Sequence, residues 1–424
     1  MPVFLALALL ALVQTPAPPD TTDVPIPAAS EPSRAAGGSH GRDEAGVEIR
    51  PRFAPSALYS GDYGFGIGGG IGVENLAGAG TELTLDLRLQ QHYQGADAAF
   101  WTSGPYDGTF YGLVAAGAST TDRRYYVGVG PAAQSASAVA LDHDAAYAEL
   151  RAGAFPLGTT AVYVQPSVGL RVDRSNGLAD DSPGSLAAFD PASQRAVEAA
   201  RGDRTGLSVG LELGTDLRDW PAYPCRGLQA SVEHRRFFAL SGSDLTLART
   251  SGSVVGYLPV FDRGAVILRA VGSLTRSGDA DGDGQPDPIP FYDLPTLDDR
   301  LATPFRRNQL TGRDVVAVGA GVRAPLADVL GLFGVDAVLM GYLGNAYDDV
   351  LDQFRPAISF RDNRSVDDEG RAALQPALSV GLGLVDIPGG RTVLGASIGL
   401  APGGITLASL RVAYDLRDVR LGAQ

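Results

Sequence analysis

Apolar and polar residues alternate with a period of two along most of this chain, and that rhythm leaves few folds open. In Thr81–Gln90, Leu83, Leu85, Leu87 and Leu89 alternate with Glu82, Thr84, Asp86, Arg88 and Gln90. In Val162–Asp173, Val164, Val168, Leu170 and Val172 oppose Gln165, Ser167, Arg171 and Asp173. In Leu207–Asp216, Leu207, Val209, Leu211 and Leu213 oppose Ser208, Gly210, Glu212 and Gly214. Val316–Leu326, Leu378–Val385 and Thr406–Leu416 repeat it. Successive side chains of a strand point to opposite faces, so strict alternation marks strands with one apolar and one polar face. A period near 3.6 is almost absent, and 55 glycines with 28 prolines argue against long helices.

Which face meets water decides the class. A soluble sandwich, the competing reading, hides its apolar faces between two sheets. Here the apolar faces are smooth and aliphatic, with Leu87, Leu170, Leu211, Val232 and Val322 on them. The opposite faces carry small residues and mixed charge, including Arg88, Arg171, Glu212, Glu233 and Arg323. Strands of about 9–11 residues with one side toward lipid and one toward a lumen build transmembrane barrels, and polar-face substitutions should then be tolerated. No run of about 20 apolar residues exists to make a membrane helix. The expectation is an all-β, closed antiparallel transmembrane β-barrel of about sixteen strands in the bacterial outer membrane, surrounded by outer-membrane lipid.

Strand starts fall near Tyr63, Thr81, Asp97, Asp107, Arg123, His143, Ala161, Thr205, Arg226, Asp244, Gly264, Arg313, Leu332, Leu374, Arg391 and Ile405. The longest gaps, Asn176–Arg204, Gly278–Gly312 and Asn345–Ala373, all follow odd-numbered strands and so share one side, the outer one if the N-terminus is periplasmic. Pro166 removes a ladder donor and predicts a bulge.

Val3–Val13 is an apolar run suited to a signal-peptide core and too short to span a bilayer. It predicts a signal peptide over 1–17, a Pro/Ala/Ser/Gly-rich disordered linker over 18–50, and the barrel over 51–424. The 34 cations are all Arg and face 48 acids, giving −14, which argues against a nucleic-acid partner. A lone Cys225 and the scattered His40, His92, His143 and His234 exclude a disulfide scaffold and argue against a zinc site. Gly206-Leu-Ser208-Val-Gly210 and Gly395-Ala-Ser397-Ile-Gly399 spell G-x-S-x-G, but both sit mid-strand, where a nucleophile elbow cannot form. No enzyme activity is expected.

Three motifs carry a resemblance. Asp216-Leu-Arg218-Asp-Trp-Pro221-Ala-Tyr-Pro224-Cys-Arg-Gly227-Leu is similar to the D-x-R-x-x-P-x-x-P-x-x-G-L periplasmic turn of the BamA/TamA-type (bacterial surface antigen) barrels. Its prolines fix φ in a tight crossing and Gly227 restarts the strand. Asp122-Arg123-Arg124-Tyr125-Tyr126-Val-Gly128 resembles that family's R-R-Y-Y-G-x-G strand, and Phe291-Tyr-Asp-Leu294-Pro295-Thr-Leu297 the approach to its long sixth loop. The resemblance runs from about Ala54 to Tyr414. It implies a non-catalytic role in outer-membrane protein assembly or translocation, with a periplasmic or outer-membrane client protein as partner. A passive solute channel or structural surface barrel is the alternative.

Two features depart from the family. Its sixth-loop tip carries an Arg that pairs with an acid on strand thirteen. Here the tip reads Thr303-Pro304-Phe305, and Tyr342 stands in place of the acid. Losing both is coherent, because losing one would strand a charge. The family's insertases also carry POTRA modules, and the roughly 40 residues between the expected signal and the first strand are too few for one.

The sixth loop also holds Asp279-Ala-Asp281-Gly-Asp283-Gly284-Gln285-Pro-Asp287. Carboxylates at Asp279, Asp281, Asp283 and Asp287, with the Gln285 carbonyl, could wrap one Ca²⁺, which takes six to eight oxygens. No other cofactor is indicated. A solvated acidic loop is the alternative.

Overall fold

The computed structural model describes residues 50–412, apart from 61–62, 78–79, 103–109, 131–137, 157–161, 180–181, 183, 220–222, 261–262, 281, 283, 298–303, 306–309, 330–332, 361–365, 387–391 and 403. The segments expected to be signal peptide and linker lie outside the described residues, except that Arg50 opens the first strand.

The chain is an antiparallel sheet protein. Its strands are β1 (Arg50–Ser60), β2 (Gly64–Glu74), β3 (Thr81–Gln90), β4 (Tyr93–Thr102), β5 (Phe110–Tyr126), β6 (Val139–Ala154), β7 (Val162–Ser175), β8 (Gly202–Asp216) and β9 (Gly227–Ser241). They continue with β10 (Thr246–Val260), β11 (Gly264–Ser277), β12 (Asp314–Val329), β13 (Phe333–Tyr347), β14 (Phe354–Ile358), β15 (Ala372–Asp386), β16 (Thr392–Ala401) and β17 (Gly404–Val412). Helix is confined to the gaps, as α1 (Pro191–Glu198), α2 (Val350–Gln353) and short 3-10 turns at Leu186–Ala188 and Phe291–Asp293. Asp190 caps α1 through the amides of Ala192 and Ser193, with Pro191 at its first turn.

Each long strand pairs antiparallel with its sequence neighbours, and β13 pairs with β15 directly. The first strand also meets the last, Ser56–Ser60 lying beside Leu407–Arg411. Among the described residues the sheet therefore has 17 strands, one more than the expected count of about sixteen. The extra one is β14, five residues that run parallel to the start of β15 in the gap after β13.

Two differences in strand assignment have physical causes. The expected strands at Asp107 and Arg123 are one continuous strand, β5. Its register on β6 slips by one residue between Thr121 and Arg124, a bulge that switches the buried parity from odd to even positions. The phase reversal in the sequence imitated a strand boundary. Conversely β1, which lies ahead of Tyr63, shows no clean alternation, because Arg50–Ser60 holds Pro51 and Pro55 and the small Ala54, Ser56, Ala57 and Ser60. Pro166 makes no bulge. Its pairs to β6 are missing between Ser167 and Val164, yet the register is the same on both sides.

Faces divide as the alternation required. Leu87, Leu170 and Leu211 are exposed at 57, 45 and 47%, while Glu212, Glu233 and Arg323 are buried at 2, 5 and 9%. An apolar exterior and a covered charged face invert the arrangement of a soluble protein. The long segments 176–201, 278–313 and 348–371 all leave the same end of the sheet.

Candidate functional site

The gap between β11 and β12 is a strap laid across the charged face. Its 3-10 turn Phe291–Asp293 is fully covered, with Tyr292 at 0% and Asp293 at 4% exposure. An acid at that depth needs partners. The Asp293 carboxylate accepts from Arg171 Nη1 of β7 at 2.9 Å and from Arg204 Nη1 of β8 at 3.4 Å. Its backbone carbonyl accepts from Arg249 Nη2 of β10. Arg171 in turn donates to Asp173 through Nε at 2.8 Å, and Asp173 meets His143 Nε2 of β6 at 3.0 Å.

Aromatic contacts reinforce the ion pairs. Tyr292 stacks on His143 with centroids 4.5 Å apart and planes 10° from parallel. The guanidinium of Arg124, on β5, lies 5.4 Å from the Phe291 ring centroid, and Arg171 lies 5.3 Å from that of Tyr292. Burial, with the adjacent Asp293 charge, pushes the Tyr292 hydroxyl well above its ordinary value. Sequence reasoning placed Arg171 on the inward face and quoted the Phe291–Leu297 stretch, but it missed Asp293 as an anchor. The available signal was a single acid inside an otherwise apolar run.

Further along, the strap turns back on itself: Leu297 N donates to Leu310 O at 3.0 Å and Gly312 N to Pro295 O at 3.2 Å. Of the tip residues, Thr303 lies outside the described residues, while Pro304 and Phe305 do not. The Pro304 carbonyl accepts from Thr406 Oγ1 of β17 at 2.5 Å. Phe305, 2% exposed, belongs to one apolar cluster with Val271, Val315, Met340 and Tyr342. Phe305 thus shares apolar packing with Tyr342, the position where the family resemblance expects an acid. Arg306 and Arg307, next in the chain, lie outside the described residues.

The Asp216–Gly227 turn forms a second built feature, at the opposite end of the sheet. Arg218 donates to Asp216 through Nε at 2.8 Å and Nη2 at 2.5 Å. The Asp219 carboxylate accepts from the amides of Cys225 and Arg226, each at 3.0 Å. Gly227 sits at φ +109°, where a Cβ would meet Leu217 O at 2.2 Å, so only glycine fits. At Tyr223 and Pro224, the turn reaches sideways to other strands. Tyr223 donates to Asp336 of β13 and to the Arg263 carbonyl, and the Arg323 guanidinium of β12 lies 3.6 Å from the Tyr223 ring centroid while donating to Pro224 O at 2.7 Å. Burial, then the bond to Asp336, raises the Tyr223 hydroxyl. Pro221 lies outside the described residues.

In the acidic stretch, Asp281 and Asp283 lie outside the described residues. Asp279 accepts from Gly284 N at 2.9 Å and Asp287 from Ala280 N at 3.1 Å, so both carboxylates close the loop on itself. Gln285 lies exposed beside them. No group of three or more His, Cys, Asp or Glu side chains suited to a metal occurs among the described residues. Ser208 and Ser397 lie within β8 and β16.

An antiparallel sheet with an apolar exterior, charges on its covered face and a long loop strapped across that face defines a barrel-type protein with an inserted loop. Solved structures of that architecture match over most of the chain. BamA from Haemophilus ducreyi lacking POTRA domains 1-3 has a TM-score of 0.57 at 13% identity, covering 87% of this chain and 71% of that one. CdiB from Escherichia coli gives 0.53 at 14% identity, and CdiB from Acinetobacter baumannii 0.51 at 13%; this chain spans 64 and 60% of their lengths, with 87% of its own covered. No family model and no curated protein sequence matches. The fold is that of the BamA and CdiB barrels, in keeping with the BamA/TamA-type motifs.

Proposed function

We propose that this chain is an integral outer-membrane barrel of BamA/TamA type that acts in outer-membrane protein assembly or translocation, without catalysing a reaction. Setting β14 aside, sixteen long strands form a closed ring, with the apolar face in lipid and the charged face lining a lumen. The observation that carries this reading is the join between the first and last strands. There β1 lies beside β17 over Ser56–Ser60 among the described residues, which end at Val412, and pairs with β2 over Arg50–Ser60. In a protein with the fold of BamA and CdiB, this join of first and last strands is where an extended client strand would add to a sheet edge. The strap across the charged face supports this reading over an open solute channel.

Depleting the protein tests it: the steady-state level of other outer-membrane barrels should fall. Unchanged barrel levels, together with stable single-channel conductance of the purified protein, would favour the channel. Calcium binding by Asp279, Asp281, Asp283, Gln285 and Asp287 rests on sequence spacing alone. Calorimetry with Asp281→Ala and Asp283→Ala controls tests it, and no heat at millimolar Ca²⁺ would leave a solvated loop.

A further inference from the structure

The exterior of β8–β12 is largely aliphatic between its ends, and its cations gather in one place. On β9 the outward positions run Val232, His234, Arg236, Phe238 and Leu240. Arg236 is exposed and makes no hydrogen bond or ion pair among the described residues. Its lateral neighbours in register are Val209 on one side and Ala248 on the other, and Phe238 and Leu240 follow it toward the long-loop end, 37 and 60% exposed. Beyond Ala248 in the same row stands Arg276, outward and half exposed, already paired with Asp314. One position back, His234 Nδ1 meets Thr250 Oγ1 at 2.9 Å. Donors and cations thus gather on three adjacent strands of an otherwise aliphatic wall.

Height along the wall identifies what they face. Arg236 is nine residues beyond Gly227. At about 3.3 Å per residue and a tilt of about 40°, it stands about 23 Å above the start of β9, close to the far edge of an apolar band about 25 Å tall. A cation on the lipid face is costly at the midplane and tolerated at the interface, where lipid phosphates lie. The flexible stem of Arg236 can lie along Val209 and Phe238 while its guanidinium reaches that level.

We propose that Arg236, with the His234–Thr250 pair below it and Arg276 beside it, binds the phosphate of an anionic lipid in the long-loop leaflet. The charge complementarity is specific: a planar guanidinium with no partner among the described residues offers paired donors to a phosphate, and the aliphatic row around it accommodates acyl chains. This rests on the membrane reading above.

Native mass spectrometry of the full chain in detergent micelles tests it, using phosphatidylglycerol, diacylglycerol with the same acyl chains, and inorganic phosphate as probes. Phosphatidylglycerol should be retained over diacylglycerol. Arg236→Ala should lower that retention about tenfold, the worth of a charge-assisted hydrogen bond, and Arg236→Lys, a point charge without the paired donors, should keep only part of it. Equal retention of both lipids, or no loss in Arg236→Ala, would overturn the site. Displacement by stoichiometric inorganic phosphate would assign it to free anions instead and overturn the lipid reading. Heat-modifiable gel migration and membrane fractionation are followed in parallel. A protein that never enters membranes overturns the barrel reading itself, whereas an inserted protein without lipid preference overturns only this site.

Discussion

At the scale of single residues, the strap is held by charge and the tip by apolar packing. Asp293 alone neutralises parts of Arg171 and Arg204 in a covered setting. Removing one partner of a buried pair leaves the other charge uncompensated, at about 3–5 kcal/mol. Asp293→Ala should therefore release the strap, seen as lost hydrogen-exchange protection at Leu294–Leu297 while the strand amides stay protected. Unchanged protection there would mean that the stacking of Tyr292 on His143 suffices. Residues of this kind are the least legible in a sequence. Arg171 and Glu212 could be assigned a face from alternation, but their partners lie 122 and 49 positions away in the chain, on Asp293 and Tyr163. Pairing across such distances is set by strand order, which no local pattern encodes. For the same reason, tolerance of substitutions on the polar face does not follow from facing inward: Glu212 accepts from both Tyr163 and Gln165, so Glu212→Leu would strand those donors.

At the scale of elements, strands of uniform phase were readable and irregular ones were not. Thr81–Gln90 and Gly264–Ser277 begin where the alternation placed them. The β5 bulge and the proline-bearing β1 each break the two-residue rhythm, so one strand read as two and another escaped notice. The errors offset, which kept the odd-numbered position of the long gaps intact. The Asp216–Gly227 turn was legible because its constraint is local. Gly227→Ala forces a left-handed φ and a contact with Leu217 O. It should cost at least about 1–3 kcal/mol, read as a lower denaturant midpoint and slower refolding into detergent. A neutral effect would show that the turn can be remade without its glycine.

At the scale of the whole molecule, the account depends on a ring standing in lipid. Leu211 lies five residues above the end of β8 at Asp216. That is about 13 Å up a strand tilted by about 40°, near the middle of the apolar band. Leu211→Arg should cost about 2–4 kcal/mol in vesicles. The same change at Leu217, 55% exposed beyond the strand end, should cost about 0–1 kcal/mol. Equal costs at the two sites would place the apolar face somewhere other than in a bilayer.

The ring itself is tested most directly at its join. Leu58 of β1 and Ser409 of β17 are register partners, so cysteines there stand within disulfide reach of each other across adjacent strands. With Cys225 replaced by Ser, Leu58→Cys/Ser409→Cys should form an intrachain disulfide in the outer-membrane fraction under mild oxidant. The cross-linked chain should still migrate as a heat-modifiable species. Either cysteine alone should give none. Only intermolecular cross-links, or none at all, in protein that has reached the outer membrane would contradict a barrel closed between its first and last strands.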